Sequence, residues 1–450
     1  MSDCLVAIRN CLEGFVPAIL ATCDADGLPN VSLISQVHFV DAERVALSYQ
    51  FFNKTRRNIL ATRAASVAVV DPVTCAQYRL DLDYEETLTH GPVFEAMKAR
   101  LAGIASHSGM AGVFQLLGSD IFRVRTIETI DGPALGAPPP RQDLLALRRV
   151  ADRLAGKDDL EHLLDAALEA IAGEFGIAHA LILMCEPRAD RLYTVASRGY
   201  AAPGIGSEVA FGDGVIGVAA REGVPIRISN MAAEYDYGNA IRQSAQRSGH
   251  AWFAGAEIPF PGLAAPQSQL ALPIACRGNV LGVLFVESRE AMRFSFADED
   301  ALALVGAHLG ALIAAMPRDE APAQAGLDMQ EIDATRVVPV RRHVADDSVF
   351  FGHDYIIKGV AGAILWRVLS EHVESGRQEF TNRELRLYLA RRLPDHAENL
   401  EARLVLLRRR LEERGDGIRI ERCGRGRFRL AADCRFELEE IGGAAVQSAN

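Results

Sequence analysis

The sequence predicts a multidomain α+β protein built as three domains, and three observations lead there. A chain of 450 residues exceeds what one core supports and suits about three domains. Two Pro- and Gly-rich stretches, 131–141 and 317–326, interrupt it and leave units at 1–130, 142–316 and 337–437, with 317–336 as a linker. Charge is also unevenly placed. Between Pro339 and Phe436 there are 20 Arg+Lys against 15 Asp+Glu, about +5 on a chain whose net charge is −11. A basic module on an acidic protein reads either as a nucleic-acid-binding end or as a solvated basic surface.

The first unit is β-rich. Phe15–Cys23 reads as a strand, Asp24-Ala-Asp-Gly27 as a hairpin turn whose Gly supplies the positive φ, and Asn30–Phe39 as the return strand. Strands follow at Arg44–Phe51, Ala65–Asp71 and Asp120–Ile127, with helices opening at Asn53 and running from Gly91 to Ile104. This order resembles the flavin-binding split β-barrels related to pyridoxamine-phosphate oxidase. The most specific piece is Asn53-Lys-Thr-Arg-Arg-Asn58 after an aromatic strand end. The resemblance implies that Lys54 and Thr55 hold an FMN phosphate where the helix begins, with Ser48, Gln50 and Asn53 lining the flavin. A helix N-terminus beside a cation is physically suited to an anion, although Lys54 and Arg56 read equally as a solvated first turn. Barrels of this kind also hold haem or a deazaflavin, or no cofactor. No catalytic constellation is expected, because the chemistry of such proteins lies in the flavin. His38 and His90 read as general acids or as strand-face and turn residues.

The middle unit opens with helical sequence from Leu144 to Ala172, broken near Lys157-Asp158, and strand sequence from Ala178 to Glu186. Phe211-Gly-Asp-Gly-Val-Ile-Gly217 and Gly223-Val-Pro-Ile226 precede a hairpin, Leu270–Cys276 and Arg277–Glu287, and Phe294–Asp300 caps a closing helix. The glycine spacing lacks the strand and βαβ context of a dinucleotide fingerprint. Together these phrases resemble a GAF domain, an α/β/α sandwich that binds small molecules under the segment before the hairpin. Here that segment holds Tyr235, Tyr237, His250, Trp252 and Phe253, which either stack a planar ligand or close the pocket. Asn279 and the Phe296 to Asp300 spacing match part of a cyclic-nucleotide signature, but Val280 replaces its Lys.

The last unit ends in a helix, Asn399–Arg414, in which Leu400, Leu404, Leu407 and Leu411 form one stripe. A hairpin, Ile418–Leu430, follows. A strand pair in Val349–Lys358, a helix from Ala361 to Ser375, and Phe380-Thr-Asn-Arg-Glu384, with Thr381 or Asn382 as cap, come before. Leu407-Arg-Arg-Arg-Leu-Glu412 and Gly424-Arg-Gly-Arg-Phe-Arg-Leu430 resemble the winged helix-turn-helix DNA-binding domain of OmpR/PhoB-type response regulators, the second with an offset of one residue. The resemblance implies that Arg403, Arg408 and Arg409, with Arg410 beside them, face a DNA groove, and that Arg425, Arg427 and Arg429 contact phosphates. Val405 and Leu406 stand where that family often has base-reading side chains.

No segment reads as a membrane span or a cleavable signal, and the eight cysteines show no framework or zinc spacing, so reduced cytoplasmic thiols are expected. No receiver-type phosphorylation pattern is present. The expected protein is a cytoplasmic one-component transcriptional regulator. It senses a small molecule or redox state, binds DNA and is a homodimer. The competing expectations are an FMN-dependent oxidoreductase regulated by a GAF domain and a protein–protein scaffold whose basic end binds an acidic partner.

Overall fold

The computed structural model describes residues 5–12, 16, 18–34, 37–49, 54–91, 93–94, 96–98, 116–137, 143–186, 190–229, 258–316, 336–389, 400–414, 416–424 and 426–442. The first domain has strands β1 (Ala18–Cys23), β2 (Pro29–Ile34), β3 (Val37–Phe39), β4 (Arg44–Tyr49), β5 (Ala64–Val70), β6 (Gln77–Leu88) and β7 (Gly118–Ile130), with helix α1 (Lys54–Thr62) after β4. They form one antiparallel sheet in the order β2-β1-β5-β6-β7-β4-β3. The Asp24–Gly27 turn forms as expected: Gly27 has φ 81°, and the Asp24 carboxylate accepts from the backbone N–H of Asp26 and Leu28. The segment read as one strand, Asn30–Phe39, is two. β2 pairs with β1 and β3 with β4, so its halves lie at opposite edges of the sheet. Most of the helix expected at Gly91–Ile104 falls outside the described residues.

The middle domain is a six-stranded antiparallel sheet between helices. Helices α2 (Asp143–Leu154) and α3 (Leu160–Phe175) precede β8 (His179–Glu186), β9 (Arg191–Arg198) and β10 (Glu208–Ala210). Then come α4 (Gly214–Glu222), β11 (Ile226–Ile228), β12 (Ser268–Cys276), β13 (Asn279–Ser288) and α5 (Phe296–Ala315). The strand order is β10-β9-β8-β13-β12-β11. Alternation along β13 sends Leu284 and Val286 toward the α2, α3 and α5 side, and Val283 and Phe285 toward α4. The expected break between α2 and α3 is real. Asp159 caps α3 by accepting from the His162 N–H, and Gly176 ends it at φ 63°. Helix α5 starts in a full capping box between Ser295 and Asp298.

The C-terminal domain runs β14 (Val337–His343), β15 (Ser348–Phe351), β16 (Asp354–Ile357), α6 (Gly359–Ser375), β17 (Glu379–Thr381), α7 (Asn382–Leu389), α8 (Leu400–Arg414), β18 (Arg419–Gly424), β19 (Arg427–Ala431) and β20 (Arg435–Ile441). One sheet is β16-β15-β14-β20 and the other β17-β19-β18. β20 pairs parallel to β14 and runs beyond residue 437, where the sequence reading ended the domain. Phe380 stacks on Phe428 at 5.6 Å, tying β17 to the hairpin.

Helix α5 sits close on β12 because two of its residues lack a Cβ. A Cβ at Gly310 would stand 2.2 Å from the Ala275 carbonyl oxygen, and one at Gly306 3.0 Å from that of Pro273. Glycine to alanine in a helix ordinarily stabilises by about 1 kcal/mol. Gly310→Ala is expected to do the reverse and lower stability by roughly 1–3 kcal/mol, because the helix must move off rigid backbone; the denaturant midpoint of the purified variant checks the sign.

Candidate functional site

Three regions carry the chemistry expected of the chain. The first lies where α1 begins. Lys54 and Ser48 are exposed there. Thr55 is buried, and its hydroxyl accepts from Asn30 Nδ2 at 3.0 Å and donates to Ser32 Oγ at 3.2 Å. Its side chain thus fastens α1 to β2. Arg56 lies over the Tyr49 ring at 3.6 Å and bonds Asp120 and Thr87. Of the expected phosphate ligands, Lys54 keeps a side chain facing solvent. Gln50 and Asn53 lie outside the described residues.

The second region is the α4 side of the middle sheet. Tyr235, Tyr237, His250, Trp252 and Phe253 all lie outside the described residues. What is described is a polar floor that sequence reading missed. Glu287 on β13 stands between His179 of β8 and Gln269 of β12 in the strand register, and it is 2% exposed. One carboxylate oxygen accepts from the Leu263 N–H at 2.7 Å and the other from Gln269 Nε2 at 3.1 Å. Tyr200 packs edge-on against His179 with centroids 5.4 Å apart. Burial raises the Glu287 carboxyl above the usual range, against the pull of the Leu263 N–H and the Gln269 amide. Burial and the neighbouring Glu287 raise the Tyr200 phenol. The signal was present in the sequence: Glu287 has the parity of Val283 and Phe285, which places a carboxylate on a buried face. No metal-binding group of His, Cys, Asp and Glu occurs among the described residues.

The third region is the basic helix and hairpin. Here the structure places the arginines in company that the sequence reading did not foresee. Arg403 is 3% exposed, lies over the Tyr193 ring at 4.0 Å and pairs with Glu186 at 3.4 Å. Arg408 pairs with Glu161. Arg409 donates to Asp165 at 2.7 Å and to the Val195 carbonyl at 2.8 Å. All of these partners belong to the middle domain. Arg403, Arg408 and Arg409, expected to face a groove, therefore face α3, β8 and β9 in this arrangement. The reason is local: Val405 and Leu406 make that side of α8 apolar, and it is buried. Burial, with the like charges of Arg409 and Arg422, leaves the Arg408 guanidinium below its ordinary value, against the opposing pull of Glu412.

The other arginines serve the C-terminal domain itself. Arg410 donates to the Ile356 carbonyl and to Glu413. On the hairpin, Arg427 meets Glu379 at 2.6 Å, and exposed Arg429 meets Glu421 at 2.7 Å. Arg425 lies outside the described residues.

The comparisons with known proteins fit the first two domains. Residues 6–128 match the family described as pyridoxamine 5'-phosphate oxidase, and residues 157–314 match the GAF domain. The chain thus carries a pyridoxamine-phosphate-oxidase-like N-terminal domain and a GAF domain. Among solved structures, the GAF domain of an Acinetobacter phosphoenolpyruvate-protein phosphotransferase is 20% identical, with 39% of this chain and 95% of that one covered at a TM-score of 0.30. An FMN-binding protein from Syntrophomonas wolfei is 18% identical, with 28% and 90% covered at 0.24. HupZ of Group A Streptococcus is 24% identical, with 29% and 96% covered at 0.23. The curated proteins give no match. No helix among the described residues is long and apolar enough to cross a membrane.

The Glu287 cluster makes a sharp prediction. Glu287→Gln keeps the acceptor for Leu263 N–H, and once the Gln269 amide turns over, the new amide N–H donates to the Gln269 oxygen, which has no hydrogen-bond partner among the described residues. A carboxyl raised in the fold contributes stability at low pH that is lost as pH rises toward its folded value. The Gln variant is therefore expected to be as stable as the parent near neutrality, or more so. Glu287→Ala strands the Leu263 N–H and is expected to cost about 1–3 kcal/mol. Thermal melts of both variants at neutral and mildly acidic pH check the order.

Proposed function

We propose that the chain is a cytoplasmic one-component transcriptional regulator. In this reading the N-terminal and GAF domains sense a small molecule or redox state, and the C-terminal domain binds DNA as a winged helix. One observation carries the reading: residues 337–441 run strands, helix, strand, two helices and a hairpin, and the strand after α6 joins the hairpin in one small sheet. That order supports α8 as the reading helix and β18–β19 as the wing. The basic balance of the domain supports phosphate contact.

FMN fits the N-terminal domain in part. Lys54, at the start of α1, would meet the phosphate and Ser48 on β4 would lie beside the ring. Thr55 contributes its backbone at most, since its hydroxyl is committed elsewhere. When bound, FMN supplies redox chemistry. Haem is the other occupant that such a barrel supports.

The reading includes a homodimer. Ile19 and Leu33, directly opposed across β1 and β2, and Val31 leave an apolar strip exposed at the sheet edge, which supports self-association there. The N-terminal match equally supports a second reading, an FMN-dependent oxidoreductase regulated by the GAF domain. Substrate-dependent bleaching and recovery of the flavin bands would favour that reading.

Two experiments test the proposal. Arg427→Ala with Arg429→Ala is expected to weaken binding to duplex DNA uniformly across sequences and to reduce the slope of log affinity on log salt by about 2; an unchanged slope would remove the wing from the interface. The absorption spectrum of protein purified from cells, with its mass by light scattering, reads the cofactor and the dimer. Flavin bands are expected, a Soret band would assign haem, and a spectrum that stays bare on adding FMN would refute a flavin sensor.

A further inference from the structure

We infer that the GAF domain holds the chain in a self-inhibited state, covering α8 with carboxylates that occupy the place of DNA phosphates. The inference rests on the DNA-binding reading above. Across one face, the cations of the C-terminal domain meet acids of the GAF domain. Arg408 and Arg409 meet Glu161, Arg409 also meets Asp165, and Arg403 meets Glu186. From the hairpin, Arg422 meets Asp159 at 3.1 Å, and from the start of α6, Lys358 meets Glu208 at 3.0 Å. Asp159, Glu161 and Asp165 all come from the cap and first turns of α3, where Glu161 and Asp165 share a helix face. An acidic ridge thus runs along the arginines that the DNA reading needs.

The apolar contacts agree. Leu406 is 3% exposed and its methyl group lies against Gly206, so a Cβ at that glycine would stand 3.5 Å away. In the described part of α8 only Glu412 and Glu413 are exposed, and both repel phosphate. A helix must enter the major groove to read base edges, so α8 cannot read DNA while it is docked. Val405 and Leu406 are poor base readers but good docking residues, which explains their presence on that face.

The latch also touches the sensors. The cleft between the domains, about 90 Å³, is lined by Asp159, Glu161, Arg408, Arg422 and Met316. Met316 directly follows α5. At the other end of α5, Arg9 of the N-terminal domain pairs with Asp300 at 2.5 Å and lies over Phe296 at 4.1 Å. Arg227 of the GAF domain lies over the same ring at 4.2 Å. Helix α5 therefore joins the N-terminal contact to the latch. A ligand that binds the undocked arrangement better raises the competent fraction, and apparent DNA affinity rises with that fraction.

The test uses the full chain, with Glu161→Gln and Asp165→Asn combined, and a random-sequence DNA duplex at low salt. The variant is expected to bind at least tenfold tighter than the parent, and its α8 amides to exchange faster with deuterium. A second variant, Glu186→Gln with Glu208→Gln, leaves α3 untouched and is expected to act the same way if the first fails to fold. Equal affinity of parent and variants, with binding still lost on Arg427→Ala and Arg429→Ala, overturns self-inhibition and leaves the DNA reading standing. Absence of binding by parent and variants alike overturns both. Unchanged exchange of α8 overturns the assignment of these pairs as the latch.

Discussion

The close seat of α5 on β12 is the contact on which the rest of the molecule depends. Gly306 and Gly310 bring the helix against strand backbone, and Leu302, Val305 and Leu309 then fill the space beneath it. The apolar core on that side continues without a break into the C-terminal domain, through Leu400, Val405, Leu406 and Leu407 of α8. The N-terminal domain reaches the same helix by Arg9. A rigid helix seated at close range makes a shift at one end felt at the other, because a packed interior does not absorb displacement gradually.

Charge plays a different part from the one its distribution first implies. A basic end on an acidic chain reads as an electrostatic footprint for nucleic acid. In the fold, much of that charge is answered inside the molecule by Asp159, Glu161, Asp165, Glu186 and Glu208. The pairs lie at a domain boundary, and several remain partly open to solvent, with Asp165 53% and Arg422 45% exposed. Solvated pairs of this kind contribute little individually and weaken with salt. Such an interface selects its geometry by charge without requiring much binding energy from each pair.

Much of the architecture was legible because its signals are local. The Asp24–Gly27 turn, the Asp159 cap between α2 and α3, the Ser295 capping box and the leucine stripe of α8 each depend on neighbours within a few residues. β6 was missed, although Tyr78, Leu80, Leu82 and Tyr84 alternate, because Arg79, Asp81, Asp83, Glu85 and Glu86 hide that period in a charged stretch. β20 was missed because its pairing partner, β14, lies about a hundred residues earlier, a separation that no local pattern reports. The split of Asn30–Phe39 into β2 and β3 was hidden for the same reason: alternation continues across the break, while the change of pairing partner does not show in the sequence.

By itself, the sequence determined the helices and turns with local caps, the two family resemblances that the comparisons support, and the positions of the basic residues. Which way those basic residues point was decided only by tertiary structure. Arg403 and Arg409 have the same chemistry whether they face phosphate or carboxylate, and an apolar Val405-Leu406 pair suits either a domain core or a docking surface. The parity of Glu287 marks a carboxylate on a buried face, but its partners His179 and Gln269 are set only when three strands align. Long-range ion pairs and cross-strand contacts join residues far apart in the chain, so their energies belong to the assembled fold and leave no local pattern to read.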